Sequence, residues 1–296
     1  MRVFVTGAAG FVGSAVVPEL IGAGHHVVGL ARSDANADAL AAAGAEVHRG
    51  SLQDLDSLSE GASKSDGVIH LAFIHDFSQW EESARIDLRA IESMGSALEG
   101  TDRPFLIASG LATVAAGRVA TERDAPNPAF PRAQAALTTL SLAERGVRSS
   151  VVRLPPSVHS DGDKHGFIRT LIGVARDKGV SGYVADGANC WPAVHQLDAA
   201  LLFRLALEKA PAGSVLHAVG DEGVPTRAIA EVIGRHLDLP VVSISPEAAG
   251  EHFGWIGMFF GSDIRASGAL TQELLAWQPT HIGLIEDMEQ GHYFLD

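Results

Sequence analysis

Three glycines in the segment VFVTGAAGFVG carry the first chemical suggestion in this chain. Gly7, Gly10 and Gly13 are spaced GxxGxxG between an apolar run and an amphipathic stretch. Gly7 permits a tight turn, Gly10 lets a pyrophosphate approach the backbone, and Gly13 lets a helix pack closely on the strand before it. The free N–H groups at the start of that helix then face the phosphates. Gly7, Ala9, Gly10, Phe11 and Val12 are therefore expected to wall a dinucleotide site. The alternative is a glycine turn with a purely structural role. Its position at the first strand–helix junction of an alternating chain favours the phosphate cradle.

The second apolar run ends in VVGLARSD (27–34). An NAD site usually places an acidic side chain there for the ribose 2′-OH. This chain offers Leu30 and Ala31, then Arg32 and Ser33. Arg32 can pair with a 2′-phosphate and Ser33 can donate to it, which predicts NADP(H) ahead of NAD(H). The plain reading of Arg32 is a solvated surface charge, and Asp34 nearby weighs slightly against the phosphate.

The elements that must position these residues follow from periodicity. Apolar runs at 2–5, 26–30, 45–48, 67–73, 104–109 and 149–154 alternate with amphipathic stretches. That rhythm predicts an α/β fold, a Rossmann-type doubly wound parallel sheet covered by helices on both faces. After Leu154 the rhythm changes. Loop chemistry at 155–166 precedes a helix from about Phe167 to Arg176, short strands in 180–195, a helix at 196–210, a strand at 214–219 and a helix at 226–237 that Thr226 could cap. Residues 1–154 plus about 187–219 are expected to form the dinucleotide-binding domain. Residues from about 155–186 plus 220–296 are expected to form a smaller C-terminal substrate lobe.

Bulk properties narrow the class. The chain has 296 residues, 46% of them apolar, enough for a substantial core. Its formal charge of −14 repels phosphate backbones, so nucleic acid is not an expected partner. Cys190 is the one cysteine, which excludes an internal disulfide and fits a reducing cytoplasm. The first glycine comes too early for a signal peptide, and no apolar run approaches membrane-spanning length.

With these residues in hand, the chain resembles the short-chain dehydrogenase/reductase superfamily, in its extended and atypical branches of NAD-dependent epimerase/dehydratase type. TGAAGFVG is similar to the family's TGxxGxxG, GSLQDLDSL (50–58) to its GDLxD segment, and VIHLAF (68–73) to its VxHLAA. WPAVHQLDAA (191–200) resembles its xHVxDxA, and LLAWQP (274–279) its LGWxP. The resemblance implies that Ser51 and Leu52 lie near the adenine. It implies that Leu71, Ala72 and Phe73 line the cofactor, with Pro155 following the strand that ends beside the nicotinamide. It also implies pairing of two copies through helices near 79–97 and 131–145.

The family's chemistry rests on Asn, Ser, Tyr and Lys, and here the chain departs. ARIDLRAIESM (84–94) offers Asp87 in the Asn place, to orient a water or serve only as a helix charge. LIASGLATV (106–114) leaves Ser109 or Thr113 as the serine. In NPAFPRAQAAL (127–137), Phe130 falls at the Tyr place and Gln134 at the Lys place. The absence does not depend on register. The chain's tyrosines are Tyr183 and Tyr293, and its lysines Lys64, Lys164, Lys178 and Lys209, so no Tyr-x-x-x-Lys exists.

A proton donor must then come from elsewhere or from water. Gln134 could still bond the nicotinamide ribose without charge. His159 and His165, in the loop after the sixth strand, are of a residue type that could titrate near neutral pH, and His159 is a candidate donor. His159, Asp161, Asp163 and His165 alternate like metal ligands but match neither a Ca²⁺ loop nor HExxH, so a polar loop is preferred and no metal is expected. Tyr183 could donate from the lobe, although a half-buried structural tyrosine is the default. Trp191, Phe253, Trp255, Phe259 and Phe260 suggest an apolar wall or simply core. No GxSxG or Cys–His arrangement supports hydrolysis.

The sequence therefore predicts a cytoplasmic NADP(H)-dependent oxidoreductase acting on a small, partly apolar carbonyl compound or its alcohol. Two other readings stay open. One is a non-catalytic NADP-binding sensor or regulatory protein. The other is an epimerase or lyase with tightly held cofactor.

Overall fold

Each β-branched run becomes a strand in the computed structural model, which describes residues 1–76, 79–111, 114–115 and 117–295. The first half reads β1 (Arg2–Thr6), α1 (Phe11–Gly22), β2 (His26–Ala31), α2 (Asp34–Ala42), β3 (Glu46–Arg49) and α3 (Leu55–Ser63). It continues with β4 (Gly67–His70), α4 (Trp80–Leu98), β5 (Pro104–Gly110), α5 (Ala133–Ser141) and β6 (Arg148–Leu154). The second half reads β7 (Ser157–His159), α6 (Phe167–Lys178), β8 (Ser181–Val184), β9 (Cys190–His195), α7 (Gln196–Lys209) and β10 (Ser214–His217). It closes with β11 (Asp221–Pro225), α8 (Thr226–Leu237), β12 (Val241–Ile244), α9 (Ala249–Phe253), α10 (Gly257–Phe260), α11 (Ala269–Leu275) and α12 (Leu284–Glu289).

Seven strands form one parallel sheet in the order β10-β6-β5-β4-β1-β2-β3. Val3, Phe4, Val5 and Thr6 of β1 are all buried, because helices cover both faces. Val3 and Val5 pack toward Leu20 of α1 and Leu202 and Phe203 of α7. Phe4 packs on the other side with Leu58, Ile91, Met94 and Ala136. Each fully buried Leu, Val or Phe contributes about 1.5–3 kcal/mol relative to exposure. The winding reverses at β1, which pairs with β2 on one side and β4 on the other. A crevice opens where the carboxyl ends of such strands diverge.

The remaining strands make a three-stranded sheet, β11-β9-β7, and the pair β12-β8. A second core of Trp191, Ile229, Leu284, Met288 and Tyr293 holds this region together. The span 187–219 divides between the layers. β9 pairs with β7 and β11, whereas β10 joins the large sheet and α7 packs against it. Thr226 is the first helical residue rather than a cap, and its hydroxyl donates to Asn189 Oδ1. Among the described residues no helix is long and apolar enough to cross a membrane.

Candidate functional site

The turn after β1 is shaped by what a side chain would strike. Gly7 has φ +68°, and a Cβ there would lie 2.6 Å from the Ala72 nitrogen. A Cβ on Gly13 would lie 2.1 Å from the Gly7 carbonyl oxygen. Glycine is the residue that fits both places. Gly10 N–H donates to Gly7 O at 2.9 Å, and Gly10 opens α1 with no side-chain cap. The N–H groups of the first turn of α1 are thus left to water or an anion.

A cleft of about 2150 Å³ runs across this turn. At one end it is lined by Leu30, Arg32, Asn36, Ser51 and Leu52. Gly7, Ala9, Gly10, Phe11 and Val12 line the turn itself, Leu71 and Ala72 lie against it, and Phe73, Ser109, Phe130 and Pro155 continue the wall. The lobe closes it with Phe167, Trp255, Met258 and Phe259. Phe167 meets Trp255 edge-on at 5.3 Å between ring centroids.

Several sequence candidates sit elsewhere. Ser33 caps α2, its Oγ accepting from Asn36 N–H, and it is Asn36 that reaches the cleft wall. Asp34 is drawn to Arg49 at 2.7 Å. Gln134 does not reach the cleft. The buried face of α5 is Ala133, Ala135, Ala136 and Thr139, so residue 134 faces solvent and its amide donates to Thr138 Oγ1. His159 is fully buried at the end of β7, with Nδ1 2.9 Å from Asp287 Oδ2, and it is absent from the cleft wall. His75 and His165 are the histidines lining the cleft. Thr113, the alternative to Ser109, lies outside the described residues.

Asp87 is buried and forms part of a network that sequence reasoning did not assemble. Thr6 Oγ1 lies 2.7 Å from His70 Nδ1, and His70 Nε2 lies 3.0 Å from Asp87 Oδ1. Asp87 Oδ2 lies 3.6 Å from Arg132 Nε. Arg132 Nη2 donates to Ala108 O at 2.9 Å, and its guanidinium carbon stacks 3.9 Å from the centroid of the Phe73 ring. The signals were present but scattered: a histidine in the wholly buried β4, an aspartate on the buried face of α4, and an arginine just before α5.

Burial pushes His75 below its ordinary value, and the Arg132 charge adds to this. Burial also lowers Arg132, against the opposing pull of Asp87. Asp163 is raised by burial even though it accepts from the Gly166 and His165 N–H groups. Tyr293 is pushed upward by burial and then by Asp163, to which its hydroxyl donates at 3.3 Å. The alternating His159, Asp161, Asp163 and His165 do not converge. Among the described residues no group of three or more His, Cys, Asp or Glu side chains is placed to hold a metal.

Comparison with known proteins follows from this architecture. The model of the NAD-dependent epimerase/dehydratase family matches residues 3–218. An uncharacterized protein of Schizosaccharomyces pombe is 51% identical over 99% of this chain and 100% of its own. A Stigmatella aurantiaca ketoreductase, named for 4-hydroxy-2-methyl-3-oxo-4-farnesyl-3,4-dihydroquinoline-1-oxide, is 25% identical over 86% of this chain and 80% of its own. A dTDP-glucose 4,6-dehydratase from Streptomyces venezuelae, solved with NAD and TYD bound, superposes with a TM-score of 0.79. Its identity is 18%, over 99% of this chain and 97% of that chain, a likeness of fold.

Proposed function

The chain belongs to the NAD-dependent epimerase/dehydratase family, and on that premise we propose that it is a nicotinamide-dinucleotide oxidoreductase. It uses NADP(H) in preference to NAD(H), and it reduces a small, partly apolar carbonyl compound or oxidises the alcohol. The observation that carries this reading is the continuous cleft. It joins a side-chain-free phosphate cradle at Gly7 and Gly13 to an apolar lobe wall at Phe167, Trp255 and Phe259. The ketoreductase relative and the NAD-bound structural neighbour support it.

The residues present fit the cofactor. The uncapped first turn of α1 would hold the pyrophosphate. Arg32 lines the nucleotide end with no ion-pair partner among the described residues, while Asp34 is engaged by Arg49. That leaves one cation for a 2′-phosphate. Leu71, Ala72, Phe73 and Pro155 would bound the nicotinamide, and Ser109 lines the same cleft. The bound nicotinamide supplies or accepts the hydride. Phe130 lines the cleft but carries no proton, so protons exchange with water or with the cleft histidines.

The test is to titrate the protein with NADPH, NADP⁺ and NADH and then to follow NADPH absorbance against a panel of aliphatic and aromatic carbonyl compounds. The proposal expects tighter binding of NADPH and oxidation by apolar carbonyls. Tight NADPH binding without oxidation across the panel would favour a dinucleotide sensor and sink the oxidoreductase reading.

A further inference from the structure

Arg132 is held from several sides and open on another. Phe73 lies against the face of its guanidinium, Ala108 O accepts from Nη2, and Asp87 faces Nε. Nη1 has no partner among the described residues, and 21% of the side chain remains exposed where it lines the cleft. Arg153 is the contrast. It borders the same cleft but is 1% exposed, and both of its Nη nitrogens are taken up, by His217 and Asp124 O. Arg153 braces the fold, whereas Arg132 keeps a donor for something that enters.

The network behind Arg132 has one consistent direction. A carboxylate only accepts, so His70 Nε2–H donates to Asp87, and in the neutral imidazole Nδ1 then accepts from the Thr6 hydroxyl. Thr6 Oγ1 in turn accepts from Ala72 N–H at 3.3 Å. Asp87 is thereby tied to the strand that carries the phosphate turn, and its charge keeps the guanidinium cationic and aimed. Ser109 follows Ala108, whose carbonyl holds Arg132, and it lines the same end of the cleft.

We propose that Arg132 is the catalytic residue that receives the reacting oxygen of the substrate, in place of the absent tyrosine–lysine pair. This rests on the oxidoreductase reading above. In the reducing direction the bound cofactor would supply the hydride that forms the new C–H bond at the carbonyl carbon. The C=O π pair moves onto oxygen, and Arg132 Nη1–H with the Ser109 hydroxyl holds the alkoxide. Water then gives the oxygen a proton, and the hydroxide formed is neutralised from bulk solvent. Arginine cannot serve as the acid near neutral pH, so its contribution is charge and geometry, the kind worth about 100- to 1000-fold in rate per donor. Thr6, His70 and Asp87 are positioning residues.

The test uses nitrate, a planar oxyanion, with the protein saturated in NADP⁺ at constant ionic strength, and reads binding by calorimetry. The expected result is that nitrate binds the parent complex, binds more weakly to Arg132→Lys, and does not bind Arg132→Gln, while NADPH affinity is the same in all three. For any carbonyl the parent reduces, Arg132→Gln should lower kcat by about 100- to 1000-fold. Added guanidinium ion should restore part of it. Nitrate binding unchanged in Arg132→Gln, or absent from a parent that binds NADP⁺, overturns the inference while leaving the oxidoreductase reading standing. Failure of the parent to bind either cofactor overturns that reading and the inference with it. Arg132→Lys keeps the charge and guards against a variant that merely unfolds.

Discussion

The two ends of the cleft are made differently. The phosphate turn is built from backbone supplied by a few consecutive residues, and its defining feature is the absence of side chains at Gly7 and Gly13. The far end is built from side chains brought together from β1, β4, α4 and the segment before α5. A contiguous backbone site tolerates change around it but no added atom within it. A dispersed side-chain site depends on every element being in register. The most damaging way to break the first is Gly13→Val, whose Cβ would lie 2.1 Å from the Gly7 carbonyl. NADPH affinity should fall by at least about 100-fold with a clear drop in Tm, because neither backbone can yield without displacing the strand. Fluorescence titration and thermal melting check this, and near-parental affinity would mean that the cradle is not where the dinucleotide sits.

The same contrast explains what was legible in the sequence. Local features were: the parallel sheet from alternating runs, and the glycine turn with Arg32 and Ser51 along the cleft wall. Periodicity and short spacing encode these directly. Gln134 lies off the cleft wall for a local reason that family spacing hides. A position four residues after Phe130 projects to solvent once α5 begins at Ala133 rather than earlier. His159 also lies off the cleft wall, and a histidine after a strand looks the same in sequence whether it faces a cleft or a buried aspartate 128 residues away. Arg132 was in plain view, but its partners Asp87 and Phe73 come from elements whose packing no spacing specifies.

Two buried His–Asp pairs sharpen the comparison further. His70–Asp87 ends in Arg132 at the cleft, whereas His159–Asp287 ties β7 to α12 and does not line it. Removing either carboxylate leaves a buried imidazole N–H without its acceptor, so Asp87→Ala and Asp287→Ala should each cost about 1–3 kcal/mol in stability. Urea denaturation measures that. Turnover separates them. Per folded molecule, Asp87→Ala should lose activity with NADPH affinity retained, and Asp287→Ala should keep both. Equal losses of turnover would show that the two pairs serve the same end and that the cleft does not distinguish them.

At the nucleotide end the one side chain expected to matter more than backbone is Arg32. A charge-assisted contact to a 2′-phosphate is worth about 1.5–3 kcal/mol, roughly 10- to 100-fold in affinity. Arg32→Ala should therefore weaken NADPH by that factor and leave NADH nearly unchanged, and the NADPH loss should shrink as salt is raised. Parallel titrations with both cofactors decide it. Equal losses for the two would refute the preference for NADP(H) while leaving the glycine cradle untouched.

The smallest effect is expected where the far end meets the lobe. Asp163 joins the start of α6 to Tyr293, and burial holds its carboxyl above the ordinary value. The folded protein therefore retains a proton that the unfolded chain has released, and stability must fall as pH rises from the unfolded value of 3.8 through the raised one. Asp163→Asn keeps the oxygen that accepts from Gly166 and His165 but removes the titration. Its Tm advantage over the parent should accordingly grow as pH rises above about 4. A gap that narrows over that range would mean that the carboxylate form is what the N–H groups of this turn require. The lobe would then be anchored by charge, as Arg132 is, rather than by hydrogen-bond geometry alone.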